Sequence, residues 1–194
     1  MNINEKLQLE DGVQMADAKS FRSLVGGLIY LTHTRPDIAF SIGMISRFMQ
    51  HPSKQHFGAA KRVLRYIAGT MDYGIWYSKV SNFRLCGFTD NDWASSLDDR
   101  RSILANVFSL GSGVITWSSK KQATTALSSS EAEYVAATSA ACQAIWLRRI
   151  LAELHQKQEG ATTIFRDNKA TISMTKNPIF HGRTKHIDIR FHFI

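Results

Sequence analysis

The sequence predicts an α/β protein in which a small helical unit is followed by a sheet with a long helix packed on it. Three observations carry this. Residues 18–70 hold apolar side chains at helical spacing, interrupted by prolines. From Phe83 the pattern changes to short, β-tolerant runs separated by turn residues. Two such runs, Arg84–Trp93 (RLCGFTDNDW) and Thr162–Asp167 (TTIFRD), carry carboxylates at or near their ends and flank one long helical stretch. With 194 residues, 44% of them hydrophobic and 21% charged, the chain can bury one sizeable core and a smaller one.

In chain order, residues 1–17 are polar and acidic and read as a flexible lead-in. Phe21, Leu24, Val25, Leu28 and Leu31 follow helical spacing up to Pro36, which stops one helix and starts a second over Asp37–Gln50. Pro52 breaks the chain again. A third helix then has Phe57, Ala60, Leu64 and Ile67 on one face, with Lys54, Lys61, Arg62 and Arg65 elsewhere as a solvated face. Gly69–Tyr77 reads as a turn and a short strand. The boundary falls near Lys79–Asn82, giving a helical segment over 18–80 and a second domain over 81–194.

In that second domain the first strand ends in Asp90. Leu97–Arg101 is a connection, Asn106–Leu110 a second strand, Gly111-Ser112-Gly113 a tight turn and Val114–Ser118 a third strand, which together make an antiparallel meander. Ser128–Leu154 is the long helix, Thr162–Arg166 the fourth strand, Asn168–Lys176 a short helix before Pro178, and Thr184–Ile194 an amphipathic segment. The order strand-Asp90, helix-Glu133, strand-Asp167 places three acids where neighbouring strands and a crossing helix would bring them together. Such a spot needs cations.

The net charge of +8 fits a polyanionic partner. Cys86 and Cys142 sit in apolar stretches and make no disulfide framework, as in intracellular proteins. No apolar run approaches the roughly 20 residues of a membrane span, and residues 1–17 lack the character of a signal or transit peptide. The expectation is an intracellular, non-secreted protein that does not use a membrane.

The phrases RSLVGGLIYLTHTRPDIAF, HFGAAKRVLRYIAGT, GFTDNDWA, DDRRS, SSKKQATTALSSSEAEYVA, IWLRRIL and RTKHIDIRFHFI resemble the end of the polymerase region and the RNase H domain of copia-type LTR retrotransposon polyproteins. The resemblance covers nearly the whole chain. It implies an RNase H-like mixed sheet with flanking helices, three antiparallel strands and a parallel fourth, after a thumb-like tail of the reverse transcriptase that helps to hold the primer–template. The implied partners are an RNA/DNA hybrid and the palm and fingers of the same polyprotein.

By the same resemblance Asp90 (in FTDN), Glu133 (in EYVA) and Asp167 (in RDN) match the catalytic and metal-binding carboxylates of an endoribonuclease that cuts the RNA strand of a hybrid. The chemistry suits such a set. Phosphodiester hydrolysis needs a water deprotonated near neutral pH and charge neutralised on the attacking and leaving oxygens, which two Mg²⁺ (or Mn²⁺) ions about 3.5–4 Å apart accomplish. Ser129 and Ser130 are candidates for reading the 2′-hydroxyl that marks RNA, although helix capping explains them equally well. Lys120, Lys121 and Arg100, with its neighbour Arg101, are candidate phosphate contacts. Asn168, beside Asp167, completes the candidate substrate set.

Other acids compete. Glu131, three residues after Ser128, has capping-box spacing, and Glu133 lies about 200° around the helix from it, so only one can join the cluster. Asp92 reads as a surface acid, and Asp98 and Asp99 as turn formers beside Arg100-Arg101. His181, His186 and His192 fit no standard zinc spacing. Trp117 and Trp146 read as core.

The resemblance also implies a fifth strand and a helix bearing a fourth carboxylate beyond Ile194. Asp188 is therefore expected away from the three acids, with one sheet edge unpaired. Where the family reads RRSTSGYVF, this chain has bulkier Ile103-Leu104-Ala105-Asn106, a departure that keeps a second function in view: a non-catalytic, nucleic-acid-binding remnant.

Overall fold

A computed structural model describes residues 7–81 and 83–176, which divide into two compact units, 7–75 with 96–99 and 76–95 with 100–176. Asp188, the three C-terminal histidines and the segment 184–194 lie outside the described residues.

The first unit is helical. Helix α1 (Ala18–Leu31) starts at Asp17, whose carboxylate accepts from the Lys19 and Ser20 amides, and buries Phe21, Val25 and Leu28. The single second helix expected over 37–50 is a short α2 (Ala39–Ile45) between two 3₁₀ turns, Pro36–Ile38 and Ser46–Phe48. The tighter turns bring Ile38 and Phe48 into the core with Ile42 and Ile45. Helix α3 (Lys54–Ala68) begins with a reciprocal cap between Ser53 and His56. Its buried face is His56, Ala59, Ala60 and Val63, while Leu64 is exposed along with Lys54, Lys61, Arg62 and Arg65.

Residues 7–17 correct the expectation of a free lead-in. Leu7 is 4% exposed in the helical core, the Gln8 carbonyl meets His56 Nε2 at 3.1 Å, Asp11 accepts from the Ser53 hydroxyl, and Met15 bridges Ser53. One apolar side chain and a set of backbone partners suffice to pin a segment whose overall composition is polar. Arg35 staples the same unit. It is 7% exposed and donates Nε and Nη2 to Asp37 (2.9 and 2.7 Å) and Nη1 and Nη2 to the Thr70 carbonyl and hydroxyl (3.0 and 2.7 Å).

The second unit is a four-stranded mixed sheet of order β3-β2-β1-β4 with helix packed on it. Strands β1 (Leu85–Asp92), β2 (Ile103–Leu110) and β3 (Gly113–Lys121) form the antiparallel meander, and β4 (Thr163–Phe165) joins β1 in parallel after the long helix α4 (Ser129–Glu153). Helix α5 (Lys169–Lys176) follows. Strand β2 begins three residues earlier than expected, because Ile103 and Leu104 are buried ladder residues. No strand forms over Gly69–Tyr77. Tyr77 and Ser78 belong instead to the second unit, where they bond to Val114 and Ser112 at the β2–β3 turn, so the division falls at Ile75/Trp76 rather than at 79–82.

Alternation along β1 sets the two faces of the sheet. Leu85, Gly87 and Thr89 turn inward, with the Thr89 hydroxyl reaching the Ala136 carbonyl of α4, while Phe88 and Asp90 turn outward. The core under the sheet is Leu85, Phe108, Ala140, Ala144, Leu147 and Leu151. Gly87 is required here by close approach: a Cβ at that position would lie 2.6 Å from Phe108 Cε1. Trp146, expected in the core, is 54% exposed.

Candidate active site

Asp90 does not end its strand. It is the sixth of the eight residues of β1, paired with Ala105, on the face away from α4. On that face Phe88 stacks on Phe165 with ring centroids 5.1 Å apart, and Phe88 pairs in register with Phe165. The pair forms part of a cavity of about 390 Å³ lined by Asp90, Ala105, Val107 and Asp167 among others. Asp90 and Asp167 thus line one apolar-walled hollow, each two residues beyond one member of the stacked Phe88–Phe165 pair.

Glu133 occupies a different environment. It lies in the second turn of α4, and both its carboxylate oxygens are taken. Arg166 Nη2 donates to Oε2 at 2.8 Å, Asn168 Nδ2 to Oε1 at 2.9 Å, and the Thr171 hydroxyl to Oε2 at 3.4 Å, while Arg166 Nη1 donates to the Glu133 backbone carbonyl. The ion pair is well covered, with the Arg166 side chain 5% and the Glu133 side chain 15% exposed. Burial lowers the proton affinity of the Arg166 guanidinium; the hydrogen bond and charge of Glu133, then the charges of Asp167 and Asp90, act in the opposite direction. Arg166 is therefore the group that feels all three acids at once, and sequence reasoning missed it. The alternation Ile164-in, Phe165-out, Arg166-in along β4 was the signal available.

The remaining candidates scatter. Ser128, rather than Ser129 or Ser130, caps α4 by accepting from the Glu131 amide at 3.2 Å, and Glu131 closes the helix start on the Leu127 amide at 2.7 Å. Ser129 is exposed, and the Ser130 carbonyl accepts from Thr171. Lys120 is exposed near the end of β3, with Lys121 half-buried beside it, and Arg100 is exposed with φ of 54°. Asn168 is turned to Glu133 and to the Thr171 amide, where it caps α5. Asp98 accepts from the Leu9 amide at 3.0 Å.

The fit of divalent cations follows from this geometry. Among the described residues no group of three or more Asp, Glu, His or Cys side chains could hold a metal ion. Asp90 and Asp167 face the outer cavity, while Glu133 is engaged by Arg166 and Asn168 on both of its oxygens, so the three carboxylates as arranged do not fit a shared pair of ions.

No family model and no solved structure matches the chain. Among curated proteins it is similar to the retrovirus-related Pol polyproteins of transposons RE2 and RE1 of Arabidopsis thaliana, at 39% and 40% identity over 194 residues, and of transposon TNT 1-94 of Nicotiana tabacum, at 43% over 177 residues. These alignments cover 100%, 100% and 90% of this chain but 13% of each relative. Among the described residues no helix is long and apolar enough to cross a membrane. The chain belongs to the Pol polyproteins of copia-type retrotransposons, of which it corresponds to about one eighth.

Proposed function

We propose that the second unit is the RNase H region of such a polyprotein, acting on the RNA strand of an RNA/DNA hybrid, and that the helical unit is a thumb-like part of its reverse transcriptase. One observation carries the reading: the β3-β2-β1-β4 sheet, with Asp90 in a central strand and Asp167 just after its parallel neighbour, opens both carboxylates on one cavity. Mg²⁺ or Mn²⁺ would supply the activated water and the charge neutralisation that hydrolysis needs. Because the acids as arranged do not fit two ions, no step is assigned to a metal. What the chain's own residues offer is more limited. Asp90 and Asp167 can orient a water or accept its proton in the cavity. Phe88 and Phe165 supply an apolar wall, and exposed Lys120 and Arg100 are available to phosphates.

A second reading, a nucleic-acid-binding module without cleavage, draws on the Arg166–Glu133 pair, which removes one of the three acids from the set. One assay separates the two. In the first reading a hybrid is cut in the presence of Mg²⁺ or Mn²⁺, cutting falls to background in Asp90→Asn and in Asp167→Asn, and duplex DNA of the same sequence is spared. Hybrid binding without cleavage at any metal concentration supports the second, and equal cutting of duplex DNA overturns the first.

A further inference from the structure

We infer that Arg166 is a built-in counter-ion that withholds Glu133 from divalent cations, so that metal binding at the carboxylates competes with the Arg166–Glu133 ion pair; this rests on the reading of Asp90, Glu133 and Asp167 as the acid set. Both oxygens of Glu133 are already engaged. A carboxylate serves a hard cation through free oxygen lone pairs, and both Glu133 oxygens already accept hydrogen bonds from Arg166, Asn168 and Thr171. The second step is charge. The guanidinium is covered by protein and always protonated, and the charge of Glu133, then those of Asp167 and Asp90, favour its charged form against burial. A third observation concerns placement. Arg166 Nε is buried without an acceptor, so the guanidinium is held by Glu133 and not by a wider network that would fix it independently. Just past β4, Arg166 turns inward onto α4 and the next residue, Asp167, is exposed at the outer cavity. Counter-ion and acid are thus adjacent in sequence and opposed in direction.

The test measures Mn²⁺ affinity by calorimetry on the whole chain without nucleic acid, for the unaltered protein, Arg166→Met, Glu133→Gln and the double variant. Arg166→Met is expected to bind Mn²⁺ about tenfold or more tightly than the unaltered chain, with the gain lost in the double variant. Arg166→Gln takes the place of Arg166→Met if the latter does not fold. The inference is overturned if neither Arg166 variant binds Mn²⁺ more tightly, or if Glu133→Gln alone weakens binding about tenfold, since Glu133 would then be a ligand with Arg166 in place. Hybrid cleavage is scored separately. An Arg166 variant that gains metal affinity yet cuts no hybrid removes the nuclease reading and leaves the counter-ion standing. A chain that cuts hybrids but shows no gain in the Arg166 variants does the reverse.

Discussion

Replacing Gly87 by Ala tests how tightly the sheet is seated on α4. The added Cβ would lie 2.6, 3.1 and 3.2 Å from Phe108 Cε1, Cδ1 and Cζ, against the roughly 3.5–4 Å of a relaxed carbon contact. Phe108 is fully buried and packed with Leu85, Ala140, Ala144, Leu147 and Leu151, so its ring cannot swing aside without displacing the α4 contacts. Overpacking of this kind costs about 1–3 kcal/mol. For a unit of this size that corresponds to a drop of about 4–12 °C in its melting temperature. Calorimetry on the whole chain reads it, because only the transition of the sheet unit moves. Phe108→Leu, which shortens the side chain facing residue 87, should recover part of the loss when combined with Gly87→Ala. An unchanged melting temperature in Gly87→Ala, or additive losses in the double variant, would refute the packing argument.

Three more expectations concern the helical unit and the site. Arg35→Met removes the guanidinium from Asp37 and Thr70, leaving Asp37 only the Tyr66 hydroxyl, and should lower the stability of the helical unit by about 2–3 kcal/mol in urea unfolding, with Asp37's partial exposure and that remaining bond keeping it below the fully buried limit. Burial lowers the proton affinity of His56 below the ordinary imidazole value of 6.5, against the opposing pull of Asp11, the Gln8 carbonyl and Asp98. The unfolded chain therefore binds a proton that the folded one refuses, and the urea midpoint of the helical unit should be level above pH 6.5 and fall as pH drops below it, which a midpoint rising on acidification would contradict. Glu133→Gln leaves the covered Arg166 without its charge partner and should destabilise the sheet unit by about 3 kcal/mol, whereas Glu133→Gln with Arg166→Met should cost less than the sum, as a double-mutant cycle would record.

Element order was legible because periodicity reports it directly. The long helix was expected over Ser128–Leu154 and runs over Ser129–Glu153, and the fourth strand was expected over Thr162–Arg166 and runs over Thr163–Phe165. Strand β2 was expected from Asn106 and starts at Ile103. Two large apolar residues in succession were in fact covered on both faces of the sheet. His56 was hidden for another reason. Its role is to accept from the Ser53 amide at 2.9 Å as the third residue of a helix, a place where capping chemistry is usually sought in Glu or Gln. Spacing could bring Asp90 and Asp167 to neighbouring strands but could not say which face each takes. That depends on whether the pleat is counted from a strand end or from its interior. A strand end leaves the direction of Asp90 open, and Arg166, one residue past a three-residue strand, carries too short an alternation to reveal its inward turn.

The parallel pairing of β1 with β4 also has a kinetic side. Strands β2 and β3 are joined by a two-residue turn and β1 to β2 by the ten residues 93–102, so their ladders can zip soon after the chain collapses. Cys86 meets Thr163 only across 77 positions of chain, and closing a loop of that length carries an entropy cost of about 4 kcal/mol. Three residues of parallel ladder cannot offset this alone, so the docking of β4 must wait until α4 has settled on the meander and can present Glu133 to Arg166 and Arg148 to Thr162 and the Gln158 carbonyl. Asp167 and Arg166 are then expected to reach their places together and late, and amide exchange in β4 should be faster than in β1 and β2.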